Sequence, residues 1–461
     1  MGPTGAGRPL FRERYPLSTF TADASAALPG PAWLRARRVE AYERFAAAPL
    51  PTEAEEIWRY SRIGALDLDA FAPVTGDDGP VPEGVPDELV PLLRATGEHS
   101  AMVLVRNGRI ALAHLDPALA ARGVYVGSLA DAPDGADLLG SVAGPVDAFV
   151  SLSTAFVSEG LLVRVPRGVV VPHPVVLLHW VDVPGAALFP RLVVQAGESS
   201  QVTVLDHIGS PAGVAVFVAP VVELDVADNA NAGYLAIQEL GRDAWQIGYH
   251  ASRVGADATL TSSIVALGGS YARVRTDSEL AGRGGTSNLL AAYFGDGEQM
   301  HDFRTLQDHA APRTTSKLLF KGAVEDESHA VYSGLIRVRK GAAGTDAAQT
   351  NRNLVLDAGA RADSVPNLEI EENDVRCTHA SAVGPVDEDQ RYYLEARGVP
   401  PEVAERLIVL GFFDDVIAHR SAPVPALRPL LRAAVAAKLG RDARAVPPGG
   451  GGPGGRLSGD E

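Results

Sequence analysis

The sequence predicts a mainly β protein whose core is a β-solenoid between helical regions. From about residue 148 to about residue 384, short runs rich in Val, Leu, Thr and Ile recur, separated by Gly, Asp and Asn. Such strands at a loose period are typical of a solenoid, in which each unit packs on its neighbours. A β-sandwich also has strands at a spacing of roughly 8–12 residues. The number of repeated segments favours the solenoid. Its predicted turns carry glycines spaced about 15 residues apart or about twice that, namely Gly197, Gly255, Gly284, Gly344 and Gly359.

Length and composition agree with an elongated repeat fold. The 461 residues exceed the roughly 100–200 of a single compact domain, a limit that a solenoid escapes. Hydrophobic residues make up 46% and charged residues 21%, which is typical of a soluble globular protein. The net charge of −16 argues against a nucleic-acid partner.

Cysteine content and apolar runs indicate the compartment. A single cysteine excludes an intrachain disulfide framework and fits a reducing environment. The stretch "MGPTGAGRPLFRERYPLSTF" lacks the apolar core of a signal peptide. The longest apolar run, "VAVFVAPVV", is far shorter than the ~20 residues of a membrane helix. We therefore expect a cytoplasmic protein with no membrane partner.

The N-terminal region reads as helical. The stretch "PAWLRARRVEAYERF" begins near Pro31, a residue tolerated at a helix start. In "PLPTEAEEIWRYSRI", Thr52 and Glu55 have the spacing of a capping box, which predicts a second helix. Four apolar residues of the first stretch recur at helical spacing: Leu34, Ala41, Tyr42 and Phe45.

A hairpin and a C-terminal helical region have clear local signals. Asn107-Gly108 between two apolar runs predicts a β-hairpin. After Gly384, Asp387 is a predicted N-cap and Gly398 a predicted left-handed stop, followed by two further helical stretches. The closing "PPGGGGPGGRLSGDE" is predicted to be disordered.

These patterns divide the chain into five predicted regions. They are an N-terminal helical region (1–95), a small α/β segment (96–147), the solenoid core (148–385), a C-terminal helical region (386–440) and the Gly/Pro tail (441–461).

Common enzyme motifs are missing. The chain has no G-x-x-x-x-G-K-[ST] phosphate loop, no G-x-S-x-G elbow and no H-E-x-x-H zinc helix. Histidines are densest around His301, His309 and His329, and we interpret these as structural. The carboxylates of Glu325 and Glu327 would share one strand face, and we interpret them as a solvated pair rather than a catalytic one.

The candidate site is the stretch "EENDVRCTHASAVG". It contains the lone cysteine, Cys377, and His379 two residues later, so both side chains lie on one side of a strand. A thiolate and a neutral imidazole are suitable ligands for zinc, copper or an iron–sulfur centre. Two ligands cannot close a tetrahedral site, so the others would have to come from another chain. The structural alternative is a small buried thiol beside a histidine that caps a hydrogen bond.

A resemblance covers most of the chain except the tail. The stretch from His309 to Val399 resembles the SufB/SufD family of iron–sulfur cluster assembly proteins, with "TTSKLLFKG", "VYSGLIRV", "TDAAQTNRNLVL", "PNLEI", "DVRCTHASAVG" and "YYLEARG" in order. Weaker similarity lies in "PLPTEAEEIWRYS" and "GLLVRVPRGVVVPHPVVLLH". The SufB branch usually carries further cysteines, so the single thiol resembles the SufD branch.

The resemblance implies a fold and a role. The fold would be a right-handed parallel β-helix between helical regions, and the role that of a non-catalytic scaffold subunit. Such a subunit pairs with a SufB-like subunit through the C-terminal part of the β-helix. Its C-terminal helices contact the SufC ATPase, which carries the nucleotide site that this chain is expected to lack.

At the interface with SufB, a transient iron or iron–sulfur cluster would be held by Cys377 and His379. A thiol in that setting is expected to have a lowered pKa.

Three alternatives remain. The chain could be a SufB-like paralogue, or a homodimeric metal-binding adapter that uses Cys377 and His379 twice. Self-association would then be a property of the isolated subunit. It could also be a β-helical carbohydrate-active enzyme, although an aromatic content of 6% and the missing secretory signal disfavour this class.

Overall fold

The computed structural model describes residues 17–75, 81, 84–419 and 422–439. It confirms the prediction of a β-solenoid with helical elements before and after it. The predicted disordered tail lies outside the described residues, and the division into five regions stays a prediction.

Strands dominate the described part of the chain. In chain order they are β1 (Ala72–Pro73), β2 (Ala101–Arg106), β3 (Arg109–Leu115), β4 (Tyr125–Ser128), β5 (Leu161–Val165), β6 (Val175–Trp180), β7 (Ala186–Leu188), β8 (Arg191–Ala196), β9 (Gln201–Gly209), β10 (Phe217–Val218), β11 (Val221–Val226), β12 (Asn231–Glu239), β13 (Trp245–Val254), β14 (Thr259–Ala266), β15 (Tyr271–Leu280), β16 (Thr286–Gly295), β17 (Met300–His309), β18 (Thr315–Val324), β19 (His329–Val338), β20 (Thr345–Val355), β21 (Arg361–Ile370) and β22 (Val375–Gly384).

Helices precede and follow these strands, and four of them lie between the first five strands along the chain. They are α1 (Ala22–Ala27), α2 (Ala32–Ala47), α3 (Val90–Thr96), α4 (Pro117–Ala120), α5 (Gly135–Leu138), α6 (Ala148–Phe156), α7 (Glu388–Glu395), α8 (Pro401–Ile417) and α9 (Arg428–Lys438). Short 3₁₀ turns lie at Glu56–Trp58, Ile63–Ala65, Leu68–Ala70, Asp87–Leu89 and Pro425–Leu427.

Two sheets form the walls of the solenoid, and each of its roughly eight coils gives one strand to each sheet. Their strands pair parallel except at the first end, where β3 pairs with β2 and β4 with β5 antiparallel. The first sheet runs β4-β5-β8-β11-β13-β15-β17-β19-β21, and the second runs β3-β2-β6-β9-β12-β14-β16-β18-β20-β22. In-register neighbours one coil apart include Trp245 with Tyr271 and His329 with Arg361. One coil therefore corresponds to the larger of the two predicted turn spacings.

A left-handed residue recurs at one corner of successive coils. Gly284 and Gly344 have positive φ there, as the turn prediction requires. Gly255 does not have a positive φ. Glycine is needed there because two coils approach closely: an added Cβ would lie 2.8 Å from the backbone nitrogen of Asp228 in the preceding coil. In other coils the left-handed residue is not glycine; these are Ser199, Asn229, Asp257 and Arg313.

The predicted first helix is confirmed as α2, and the capping box forms in part. The Glu55 carboxylate accepts from the backbone N–H of Thr52 at 3.0 Å. The predicted second helix is wrong, because this segment makes only the 3₁₀ turn Glu56–Trp58 and Tyr60 is left-handed. Its open turn leaves the backbone carbonyls of Ile57 and Arg59 free to accept hydrogen bonds from buried arginines of the first sheet.

The predicted hairpin is confirmed and lies at the first end of the solenoid. Strands β2 and β3 pair antiparallel, and Asn107 and Gly108 between them have φ of 50° and 80°. Positive φ at both positions is the mark of a type I′ turn. Since β2 also pairs with β6, the hairpin extends the second sheet beyond its first coil and covers that end.

The C-terminal helices pack on the outer face of the second sheet. The ring of Phe413 in α8 stacks on Phe294 in β16 at 6.1 Å between centroids. The buried ammonium of Lys321 in β18 donates to the carbonyl of Phe412 at 2.9 Å and also bonds to the carboxylate of Asp415. Both predicted ends of α7 are confirmed: the Asp387 side chain accepts from two backbone N–H groups, and Gly398 has positive φ.

Replacing Gly322 with alanine is expected to destabilise the solenoid by about 1–3 kcal/mol, because it overpacks a filled interior. A Cβ at this position would overlap the Tyr293 ring and lie 2.5 Å from Oδ1 of Asn353. Gly384→Ala is the matched control, since a Cβ there meets no heavy atom within 4 Å. Urea unfolding of both variants checks the prediction, and equal midpoints would contradict it.

Candidate functional site

The two ends of the solenoid differ. At the end opposite the hairpin, β21 pairs with β19 and β22 pairs with β20, and no further strand of the described part pairs with either. Each therefore offers an unpaired edge, which natural proteins normally cover or protect. Large apolar side chains of this last coil are also exposed: Leu368 (37%), Ile370 (43%) and Val383 (45%). This end, formed by β21 and β22, is called the open end below.

Cys377 and His379 both lie on β22 at the open end. Their in-register neighbours on β20 are Ala347 and Gln349. Cys377 packs against the apolar cluster inside the last coils, so its side of β22 faces the solenoid interior. His379, two residues on, shares that side. Cys377 is half-buried and His379 is exposed.

Further polar side chains lie beside this pair. The Ser381 hydroxyl donates to Ser364 Oγ at 2.7 Å, and the Ser364 hydroxyl donates to Asn351 Oδ1 at 2.7 Å. These contacts connect β22 and β21 with the buried interior one coil below. These residues could not be identified from the sequence, because strand register decides which side chains meet and no local sequence pattern reveals that register.

In the chain by itself, the thiol of Cys377 is less acidic than a free cysteine. Burial raises its pKa above the ordinary value, and the negative charge of Asp346 on the neighbouring strand raises it further. The predicted lowering of this pKa concerns the thiol at an interface with a partner and stays a prediction, while in the chain by itself the shift has the opposite direction.

Neutralising Asp346 is expected to make Cys377 more reactive. Removing a nearby negative charge favours the thiolate, so Asp346→Asn lowers the thiol pKa. It should speed alkylation at pH 7.5 by roughly two- to threefold. Iodoacetamide kinetics read out by mass spectrometry check this, because the chain has one cysteine. Glu402→Gln on the distant helix α8 is the control, and equal rates for the two variants would contradict the prediction.

The histidines interpreted as structural lie within the coils below the open end. His309 is buried and bonds to the hydroxyls of Thr314 and Ser316, and burial lowers its pKa to about 4. His301 is fully buried with a pKa lowered to about 3. His329 bonds to Asp363 at 2.7 Å. The structure does not bring these rings to Cys377 and His379.

The ligand pair is incomplete within the described residues. No group of three or more His, Cys, Asp or Glu side chains there is arranged to hold a metal ion. Cys377 and His379 provide one soft and one borderline donor, a set that fits iron, zinc or an iron–sulfur cluster.

A second exposed apolar surface lies on helices α7 and α8. It is formed by Tyr392, Tyr393, Val403 and Leu407. Tyr392 is 73% exposed, although the buried residues of α8, such as Phe413, pack on the second sheet.

No helix in the described part of the chain is long and apolar enough to cross a membrane.

Comparison with known sequences identifies the family. The model of the family described as "SUF system FeS cluster assembly, SufBD core domain" matches residues 179–412, half of the chain. The chain belongs to the SufBD family. The chain is 35% identical, over 389 residues, to an iron-sulfur cluster assembly SufBD family protein of Mycobacterium tuberculosis (strain ATCC 25618 / H37Rv). That alignment covers 82% of this chain and 92% of that protein.

The chain also aligns with relatives named SufD, at lower identity and with similar coverage. The iron-sulfur cluster assembly protein SufD of Bacillus subtilis (strain 168) is 28% identical, covering 84% of this chain and 90% of that protein. SufD of Escherichia coli (strain K12) is 26% identical, covering 79% and 84%. The resemblance expected from the sequence is confirmed, and the chain is a SufD-like iron–sulfur cluster assembly protein of the SufBD family.

Proposed function

We propose that this SufD-like chain is a non-catalytic scaffold subunit that pairs with a SufB-like subunit through the open end. The observation that carries the proposal is the coincidence of two features at one place. The unpaired edges of β21 and β22 and the exposed Leu368, Ile370 and Val383 form a surface suited to another β-solenoid. The same surface presents the Cys377–His379 pair. A partner that continues the two sheets would pair the edges and bury the apolar side chains.

The nascent iron or iron–sulfur cluster is the cargo of this interface. Cys377 and His379 would provide part of its ligands, and the partner would provide the rest. The raised pKa supports a site shared by the two subunits. The thiol of the single chain keeps its proton, and would lose it when a metal ion or a positive charge from the partner comes close. A shared site would bind the cluster only while the two subunits stay together.

The exposed surface on α7 and α8 would bind the ATPase subunit, SufC. Helix α8 is held against the second sheet by Phe413 and by the bond from Lys321 to Phe412, so a displacement of α8 would be transmitted to the solenoid. The nucleotide would be bound and hydrolysed by SufC, with no nucleotide site on this chain. Its single cysteine fits the reducing cytoplasm, where we place the protein.

Anaerobic cluster reconstitution tests the proposal. The complex of this chain with its SufB-like and SufC-like partners is co-expressed as wild type and as His379→Ala. Thr378→Ala is the matched control, because Thr378 is exposed on the other side of the same strand. We expect His379→Ala to lose most of the visible iron–sulfur absorbance while the three subunits still co-elute. An unchanged absorbance would overturn the ligand role.

The isolated chain is expected to dimerise through the same end, because unpaired strand edges favour edge-to-edge association. Its mass in solution without partners, measured by light scattering, tests this. Lysine in place of Val383, on the exposed edge, should return it to a monomer.

A further inference from the structure

One row of in-register interior positions on the second sheet changes from apolar to polar residues just before the open end. Leu289, Leu318, Gln349 and His379 are in-register neighbours on β16, β18, β20 and β22. The two leucines and Gln349 are all almost fully buried, with Gln349 only 1% exposed. Leucine fills this position in the two preceding coils, so packing does not account for an amide in the third.

The amide of Gln349 is unsatisfied within the described residues. Neither Oε1 nor Nε2 has a hydrogen-bond partner there, and burying an unpaired amide costs free energy. Two polar side chains in the same interior are paired, since Asn351 bonds to Tyr293 and Thr305 bonds to Tyr332. Oε1 of Gln307 and both ring nitrogens of His301 also lack partners in the described part of the chain, but these residues lie in a coil farther from the open end. An unpaired amide beneath an exposed imidazole points to a partner that arrives at the open end.

The facing sheet leaves room for this side chain. Gly334 of β19 lies opposite, and a Cβ on it would be 2.5 Å from Nε2 of Gln349. The amide thus lies in a space that any larger residue at position 334 would fill. Adjacent strands are about 4.8 Å apart, so Gln349 is within reach of an imidazole on the next strand.

We propose that Gln349 is a positioning residue for His379. When a partner covers the open end, the amide hydrogen-bonds one imidazole nitrogen and leaves the other to face the iron. A histidine that binds a metal nearly always uses its second nitrogen in this way. An amide both donates and accepts, so it suits either imidazole tautomer. The inference rests on the proposed function of His379 as a ligand.

Gln349→Leu tests the inference, because it restores the residue of the two preceding coils. The control is Gln307→Leu, another fully buried interior glutamine, whose Nε2 donates to Ser316 at 2.7 Å and which lies on the other sheet. The co-expressed complex is reconstituted, and the concentration of an iron chelator that removes half of the iron is measured. For Gln349→Leu we expect an intact complex and a chelator concentration at least ~10-fold lower than for wild type. Gln307→Leu should lower the melting temperature but retain iron like the wild type.

The outcomes separate this inference from the proposed function. If His379→Ala leaves the cluster absorbance unchanged, both fail. If His379→Ala removes it while Gln349→Leu retains iron like the wild type, only the positioning role is overturned. Equal weakening by Gln349→Leu and Gln307→Leu would also overturn it, because a general loosening of the interior would then explain both. Should Gln349→Leu fail to assemble, Gln349→Met, of the same length without the amide, is measured instead with the same expectation.

Discussion

Replacing Asp302 with alanine is expected to lower the free energy of unfolding by about 3–5 kcal/mol, because it leaves two buried guanidinium groups without their counter-charge. Asp302 is completely buried and bonds to Arg273 and Arg304 at 2.5 and 2.6 Å. It also accepts from the Tyr271 hydroxyl at 2.9 Å. These cations keep the pKa of Asp302 below its usual range despite burial, so the carboxylate is ionised in the folded protein.

The effect should extend to the N-terminal segment. Arg273 and Arg304 donate to the carbonyls of Ile57 and Arg59, and Arg273 also lies 3.8 Å over the Trp58 ring. Without Asp302 we expect limited proteolysis to cut near residues 56–60 faster than in the wild type.

Urea unfolding provides the stability comparison. Asp225→Ala is the control, because the Asp225–Arg253 pair is partly exposed and such pairs contribute at most about 1 kcal/mol. A loss for Asp302→Ala no larger than for the control would contradict the prediction.

Phe413→Ala is expected to cost about 3–5 kcal/mol and to loosen the C-terminal helices from the solenoid. The side chain is 1% exposed and stacks on Phe294, within the apolar cluster that joins α8 and α9 to the second sheet. Removing the ring leaves a cavity at this contact. Thermal unfolding followed by circular dichroism measures the loss.

Leu407→Ala is the matched control on the same helix. Leu407 is 45% exposed, so its truncation should change stability by no more than about 0.5 kcal/mol. Under the proposed function, the control should nevertheless weaken capture of the ATPase subunit. Equal destabilisation by the two variants would show that α8 does not depend on its contact with β16.

Features encoded by neighbouring residues could be predicted from the sequence. The Asn107-Gly108 turn and the Asp387 cap depend on a few adjacent residues, and both are confirmed. The solenoid itself is visible because its coils repeat turn and strand chemistry. The left-handed conformation of Arg313 could not be predicted, because arginine has no local preference for it and the coil geometry imposes it.

Features set by distant contacts could not be predicted. The segment after Thr52 has a helical start signal, yet its carbonyls accept from arginines 216 and 245 residues away, which replaces a helix with an open turn. The pKa of Cys377 in the single chain is raised by burial and by Asp346 on the adjacent strand, and neither cause is visible in the sequence stretch around the thiol. The importance of Gln349 likewise depends on its register with His379.

The most direct test of the central claim, that a partner subunit covers the open end, uses the single cysteine. Cys377 is half-buried in the single chain. At a dilution where light scattering shows the isolated chain to be monomeric, a small alkylating reagent should therefore modify it at a measurable rate. In the complex with the SufB-like subunit, we expect that rate to fall at least tenfold, whether or not the ATPase is present. An equal rate in the isolated chain and in the complex would contradict the account, because the partner would then bind elsewhere.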